Sequence, residues 1–426
     1  MKRLISVLYT IFLLLFILPS GTFFHLPIKA VLIVVLLLLY ILYKQKIVFD
    51  DITIWLSFIL VGLLIWSLIS VMNGFISTMI SFNIDFLSTV MVIWLSYEFY
   101  KDNIIDSKYS LKIISIVSVF IVLFYIFTSM ILTLNFVSET EMTNIFILIF
   151  NSAPMTLKIS FGGFSFYRVQ FANSSIPILW MGYTLLFDRK LLYKLFSLLT
   201  VGLLAIITFS RVVLVEFAAV LVCAVLVRFF KNARYTKDEF IGISFIGIIL
   251  VAILAIGVYK FGGDVVEFIE LRFNSNLTSG SDYFREIQTK YFTQYFYERP
   301  LFGYGAGSYL YEYNSSALKL YSYEREYLSF FYQFGIFGFI WIILGTITLV
   351  YYICFRNTDS GYVKFLILVN LGVWTLKPFF NPNFISSNSA IIVTIIFLYS
   401  HQNAYCAEEK KVNVGYKSSA TLVETH

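Results

Sequence analysis

Long apolar runs follow one another along most of this chain, and they constrain its fold more than any other feature. Runs bounded by charged or turn residues predict about twelve membrane-spanning helices, because each span needs about 20 apolar residues. They cover approximately residues 4–19, 28–43, 52–72, 84–100, 111–134, 174–188, 192–209, 211–230, 240–260, 327–355, 361–377 and 387–401. The expected fold is an all-α, polytopic integral membrane protein.

The composition excludes a large soluble domain. Of the 426 residues, 59% are apolar and 13% are charged, whereas a soluble domain has roughly 45–50% apolar and about 25% charged residues. The three cysteines and three histidines are scattered along the chain, without the spacing of a zinc site. We therefore expect no disulfide framework, no metal and no cofactor, and we expect no nucleic-acid partner.

The distribution of Lys and Arg predicts the orientation of the chain in the membrane. With a cytoplasmic N-terminus, most of the 31 basic residues fall on short inner segments, as the positive-inside rule requires. The sequence then divides into residues 1–261, the first part of a transmembrane bundle, and residues 262–325, a large extracytoplasmic loop. Residues 326–401 form the remaining spans, and residues 402–426 form a cytoplasmic tail. The predicted topology is N-in and C-in.

The large loop contains a predicted helix. Between Asp282 and Glu298, aromatic and apolar residues recur every four positions, and Pro300 ends the pattern. Ser281 or Asp282 can cap this helix, which would place Arg285 in its first turn. A cation is unfavourable at an electropositive helix start unless an anion, such as a phosphate, binds there. The alternative is an ordinary solvated arginine.

Two more arginines are candidates for substrate contacts. Arg211 lies at the predicted outer edge of the membrane, where it either contacts an anion in a cavity or extends to lipid phosphates. Arg168 precedes the sixth span, close to Asn173, whose amide suits sugar hydroxyls. Together with Arg285 and Arg325 they fall on the predicted outer side. This distribution suggests a substrate that is anionic at one end and carbohydrate-like or lipidic elsewhere.

Two short motifs could carry chemistry. Arg299-Pro-Leu-Phe-Gly-Tyr-Gly-Ala-Gly-Ser308 is either a tight turn or a phosphate cradle. In Tyr323-Glu-Arg-Glu-Tyr-Leu328, two carboxylates flank Arg325. They either form a structural ion pair or supply a general base, because partial burial raises the pKa of a carboxylate towards the working range.

These motifs, in this order, resemble the O-antigen polymerase and ligase superfamily, which includes Wzy-type polymerases and lipid A-core ligases. The family pattern has a P-x-x-G-x-G run, then H-N-x-Y-L, then G-x-x-G, with arginines upstream. The similar segments here are Pro300–Ser308, Glu324–Leu328, Tyr332–Gly338, Phe209–Arg211 and Tyr283–Arg285. The resemblance covers roughly residues 205–340.

The resemblance implies transfer of an undecaprenyl-diphosphate-linked glycan at the outer face of the bacterial cytoplasmic (inner) membrane. It also implies a C-type glycosyltransferase-like helical fold and a reaction without metal. If the roles of the family's arginines are carried over to the matching positions of this chain, Arg211 and Arg285 hold the donor diphosphate. Glu324 stands where ligases place a histidine base, which favours a polymerase of O-antigen or capsule repeat units with Glu324 as its base. The expected substrate-binding residues are Arg168, Asn173, Arg299, Arg325, Gly303, Gly305 and Tyr323.

Two other functions remain open on the sequence. One is an O-antigen ligase, and the other is a flippase or another transporter of lipid-linked oligosaccharides. A transporter should show two related bundles and charges at mid-membrane, whereas the charges here lie at the predicted outer edge. The expected partners are the undecaprenyl-diphosphate-linked donor and acceptor, membrane lipid and, as a further candidate, a chain-length regulator that acts as co-polymerase.

Overall fold

The structure is a computed structural model that describes residues 1–45, 50–161, 164–187, 190–230, 279–313 and 319–352. It also describes residues 364, 367–368, 370–372, 375, 388–396 and 398. The described chain is mostly helical, in agreement with the prediction. The predicted span at 240–260, the tail at 402–426 and most of the span predicted at 361–377 lie outside the described residues.

The helices follow the apolar runs of the sequence. Five of those in the described part are long and apolar enough to cross a membrane: α3, α4, α5, α8 and α11. The bounds are α1 Lys2–Leu14, α2 Ile28–Lys44, α3 Asp51–Met72, α4 Ile76–Lys101, α5 Ser107–Thr133, α6 Glu139–Phe150, α7 Ser175–Phe187, α8 Leu191–Thr208, α9 Arg211–Phe230, α10 Ser279–Glu298 and α11 Glu326–Tyr351. The protein is therefore a polytopic membrane protein.

A β-hairpin interrupts the helices, so the all-α expectation is wrong in this segment. Strand β1 (Met155–Phe161) pairs with β2 (Phe164–Gln170) in antiparallel register. Ile159 on β1 and Val169 on β2 are buried, and β2 packs against α5. Gly162 and Gly163 separate two β-prone runs in the sequence, which is a hairpin signal.

Helices α3 and α11 pack closely through tryptophan side chains. Indole nitrogen Nε1 of Trp66 donates to the Phe334 carbonyl at 2.8 Å, and the Trp66 ring stacks on Trp341 at 5.4 Å. Gly62 makes this approach possible, since an added Cβ would lie 2.1 Å from the Trp341 ring. Burial of these large rings stabilises the contact and fixes α11 relative to α3.

Helix α11 is broken at Gly335, where φ is 62° and ψ is −169°. The break exposes backbone groups that bind the segment following α10. Ile336 N donates to Pro300 O at 2.8 Å, and Gly305 N donates to Gln333 O at 2.8 Å. A side chain at Gly335 would collide with the Leu301 backbone, so only glycine fits this junction. The segment from 300 to 308 is thereby held against the first half of α11.

Candidate active site

The side chains of Arg285 and Glu324 form an ion pair. Nε of Arg285, on α10, donates to Oε2 of Glu324, just before α11, at 2.8 Å, although the residues lie 39 positions apart. The two side chains are 19% and 29% exposed, so both remain accessible to a solute. Two residues that the sequence singled out separately are thus in direct contact.

The position of Arg285 on its helix differs from the prediction. Helix α10 begins at Ser279, which places Arg285 in the second turn rather than the first. The field of a helix terminus falls off within about one turn, so it does not by itself explain a cation here. Its immediate electrostatic partner is the carboxylate of Glu324.

The turn from Tyr323 to Glu326 is fixed from two sides. Leu310 N donates to the Tyr323 hydroxyl at 2.7 Å, and Arg325 N donates to Oε1 of Gln288 at 3.1 Å. Burial raises the pKa of Tyr323 well above its usual range, so its phenol stays protonated. Nε of Arg325 is buried and has no hydrogen-bond partner within the described chain. Tyr323 and Arg325 are the chain neighbours of Glu324 and so lie beside the ion pair; their predicted role in substrate binding stays a prediction.

The glycine-rich segment has the geometry of a tight turn. Gly303 and Gly305 have φ of 67° and 101°, and a Cβ at Gly305 would lie 2.3 Å from Ser70 N. The backbone N–H groups are already used: Gly303 N donates to Arg299 O, and Gly305 N donates to Gln333 O. Because donors bound to the protein cannot also cradle a phosphate, the geometry favours a scaffolding role for both glycines.

Arg299 lies at the exposed end of α10. Its guanidinium donates to Oδ1 of Asn73 and sits 4.7 Å from the centroid of the Tyr304 ring. The contact with Asn73, at the end of α3, joins the large loop to the transmembrane bundle. An exposed guanidinium held in this way retains donors for an anion.

The three other predicted site residues, Asn173, Arg168 and Arg211, lie on elements other than α10 and the turn before α11. Asn173 is 1% exposed, and its amide nitrogen donates to Phe16 O at 3.1 Å. That amide is inaccessible to a substrate, so we assign Asn173 to the scaffold instead of the sugar contact that we expected. Arg168 lies on β2, opposite Leu157. Arg211 is the first residue of α9, and its side chain is outside what the structure describes.

A polar cavity of about 260 Å³ adjoins the turn on its other side. It lies between α4, the first half of α11 and the loops that follow α1 and α6. Six of its polar lining residues are Asp85, Lys319, Tyr321, Glu326, Gln333 and Asn388. Sequence reasoning missed this cavity, although a carboxylate inside the predicted span 84–100 is a signal that could have indicated it.

Asp85 is the charged centre of one cavity wall. It accepts hydrogen bonds from the Tyr321 hydroxyl at 2.7 Å and from the Lys319 ammonium. Burial and the negative charge of Asp85 raise the pKa of Tyr321 far above its usual range, so the phenol is a permanent donor. The wall thus combines a carboxylate, an ammonium group and a hydroxyl.

Comparison with known families now identifies part of the chain. Residues 196–343 match the family model described as O-antigen ligase. The matched segment is about a third of the chain and is similar to that family. It runs from α8 into α11 and contains Arg211, Arg285 and Glu324, which supports the O-antigen polymerase and ligase superfamily predicted from the motifs. No curated protein matches the chain. The family match and the apolar helices together support a membrane protein with a role in O-antigen-related glycan processing.

Proposed function

We propose that the protein polymerises undecaprenyl-diphosphate-linked repeat units into O-antigen or capsular polysaccharide at the outer face of the cytoplasmic membrane. The observation that carries this proposal is the contact between Arg285 and Glu324 inside the O-antigen ligase domain. A guanidinium binds phosphate oxygens through paired donors, and a carboxylate can accept the proton of an attacking hydroxyl. The two groups that a glycosyl transfer from a diphosphate requires are therefore adjacent.

The proposed reaction exchanges one bond at the anomeric carbon of the donor. An acceptor hydroxyl oxygen attacks this carbon, and the bond to the diphosphate oxygen breaks. The electron pair of that bond leaves with undecaprenyl diphosphate, whose growing negative charge is stabilised by Arg285 and Arg211. The hydroxyl proton passes to Glu324. In this scheme Arg325, which follows Glu324 in the chain, provides further positive charge near the diphosphate. Arg299 lies beyond the other end of α10, about 21 Å along the helix from Arg285, and is too far away to contact the same group.

The ion pair links donor binding to proton transfer. In the described structure, the guanidinium of Arg285 is bound to Glu324. A diphosphate carries more negative charge than a carboxylate, so the donor competes with Glu324 for the same N–H groups. Donor binding then releases the carboxylate beside the scissile bond. Glu324 would become available as a base only when a leaving group is in place.

Polymerisation by the purified protein tests the function directly. We expect the protein in lipid nanodiscs to convert undecaprenyl-diphosphate-linked repeat units into a ladder of longer glycans and to release undecaprenyl diphosphate. The repeat unit serves as donor and acceptor, so no other substrate is added. Gel separation of the glycans measures the product. Unchanged repeat units at all protein concentrations would contradict polymerase activity.

A ligase is the second candidate, because the matching family model is described as O-antigen ligase. A ligase would transfer the glycan only after its separate acceptor glycolipid is added to the same nanodiscs. Against this, the segment from Glu324 to Leu328 lacks the histidine that ligases place there. A flippase would produce neither product.

The membrane orientation is tested by labelling cysteines. In a variant without Cys223, Cys354 and Cys406, cysteine substitutions at Ser279 and Ser315 should react with an impermeant thiol reagent in intact spheroplasts. The reason is that residues 262–325 are proposed to face outward. Ser107→Cys, on a predicted inner segment, is the matched control and should react only after lysis. The reverse pattern would overturn the proposed topology and the outward-facing site.

A further inference from the structure

We propose that the cavity beside Glu326 binds the terminal sugar of the acceptor glycan, which makes it a subsite separate from the donor arginines. This inference rests on the proposed glycosyl transfer, because that reaction needs a second glycan next to the donor. The turn from Tyr323 to Glu326 lies between the two places. Glu324 contacts Arg285 on α10, whereas Tyr323 and Glu326 line the cavity.

An unsatisfied buried group points to a ligand in the cavity. Asn388 is 5% exposed and lines the cavity. Its Oδ1 accepts no hydrogen bond from the described chain. Buried polar atoms in folded proteins nearly always have a partner, so this acceptor requires a hydroxyl or a water molecule from the cavity. A sugar hydroxyl supplies the donor that it lacks.

The remaining lining groups match a neutral polyol. Carboxylates of Asp85 and Glu326 accept hydrogen bonds from hydroxyls and disfavour an anion, so the cavity is unsuited to a second diphosphate. The Lys319 ammonium has three N–H donors, of which one is given to Asp85, and the Tyr321 hydroxyl oxygen can accept from a sugar hydroxyl while it donates to Asp85. Aromatic rings of Phe82 and Phe330 also line the cavity, and they can cover the apolar face of a sugar ring.

The size of the cavity agrees with a short carbohydrate. Small-molecule pockets usually enclose about 300–1,000 Å³, and this one encloses about 260 Å³. It therefore holds a single terminal ring rather than a whole repeat unit. The rest of the acceptor would extend past the half-exposed Ser152, in the loop that follows α6.

Binding of a free oligosaccharide tests the subsite without turnover. The probe is one repeat unit released from its lipid by mild acid, titrated calorimetrically into the full-length protein in nanodiscs. We expect the wild type to bind this sugar. Asn388→Ala should weaken binding by about 3- to 10-fold, the effect of one lost hydrogen bond. Ser152→Trp should abolish binding, because the indole would occupy the entrance.

Asn83→Ala is the control for loss of a side-chain amide, because Asn83 lies on α4 next to the cavity residues Phe82 and Asp85 but donates to Ser67 and does not line the cavity. It should bind the oligosaccharide like the wild type. If Asn388→Ala and Ser152→Trp both bind the oligosaccharide with the affinity of the wild type, the subsite is overturned. The absence of any binding by the wild type at millimolar sugar would overturn it too. Binding of a divalent cation in place of the sugar, lost in Glu326→Gln, would overturn it as well.

The two proposals can fail independently. If the wild type binds the oligosaccharide through Asn388 but never extends a lipid-linked repeat unit, the proposed polymerase activity fails and the sugar site stands. If the wild type polymerises while Ser152→Trp keeps an unchanged KM for the lipid-linked repeat unit and still binds the free oligosaccharide, the subsite fails and the polymerase stands. A thermal unfolding midpoint equal to that of the wild type shows that each variant is folded.

Discussion

Replacing Glu324 with glutamine is expected to slow polymerisation by about 10²–10⁴-fold, the range that general-base catalysis contributes. The amide keeps the size of the carboxylate but does not accept the proton of the acceptor hydroxyl. Donor binding should persist, because the guanidinium of Arg285 loses its competing carboxylate and remains free for the diphosphate. The rate is measured from the glycan ladder at saturating donor, and donor binding is measured separately by titration with undecaprenyl diphosphate.

The neighbouring carboxylates make this test specific. Glu286→Gln, next to Arg285 on the exposed side of α10, should polymerise normally. Glu326→Gln should raise the KM for the repeat unit by only a few fold, because Glu326 lines the cavity and an amide still bonds to sugar hydroxyls. Full-length polymer from Glu324→Gln together with loss in Glu326→Gln would show that Glu326 is the base. Normal polymer from both would leave catalysis to the arginines.

Replacing Arg285 with lysine should lower kcat/KM by about 10²–10³-fold, the cost of removing a fixed donor to a developing anion. Lysine keeps the positive charge but loses the planar fork that binds two phosphate oxygens. Arg211→Lys should have an effect of the same order if the two arginines converge on one diphosphate. The measurement is the rate of undecaprenyl diphosphate release at equal protein concentration.

Lys290→Ala, an exposed position on α10, provides the control for general effects of charge on this helix and should leave the rate unchanged. Near wild-type polymerisation by both lysine variants would assign Arg285 to a structural ion pair and Arg211 to lipid phosphates. A loss in Arg285→Lys alone would separate the two arginines and would contradict a shared diphosphate site.

Hydrophobic length predicted the helices well, because a membrane leaves few alternatives for an apolar run of 20 residues. Helices α3, α5 and α11 therefore begin and end within a few residues of the expected positions. The hairpin from 155 to 170 was missed because its two strands of seven residues carry a weak local pattern compared with a membrane span of about 20 apolar residues.

Candidate site residues could be predicted from the sequence only where the residue type of a motif pointed to one kind of chemistry. Order and residue type pointed to Arg285 and Glu324, and the structure brings them into contact. The glycine motif allowed two interpretations, since glycine serves both turns and phosphate sites, and only the partners of its N–H groups distinguish them. Asp85 alone could have indicated a polar site in its predicted span, but the lining of the cavity could not be predicted, because its walls come from segments as distant in sequence as Ser20 and Asn388.

The break at Gly335 has a consequence for engineering. Hydrogen bonds from Ile336 and Phe337 to Pro300 and Leu301 make the end of the large loop and the middle of α11 one interlocked unit. A chimaera that exchanges the loop between related proteins, with its junction at the predicted membrane boundary near 325, would take the two sides of this hydrogen-bonded contact from different proteins. Junctions placed before 299 and after 338 would transfer both sides of this hydrogen-bonded contact together. Specificity could then be exchanged along with the backbone geometry that supports it.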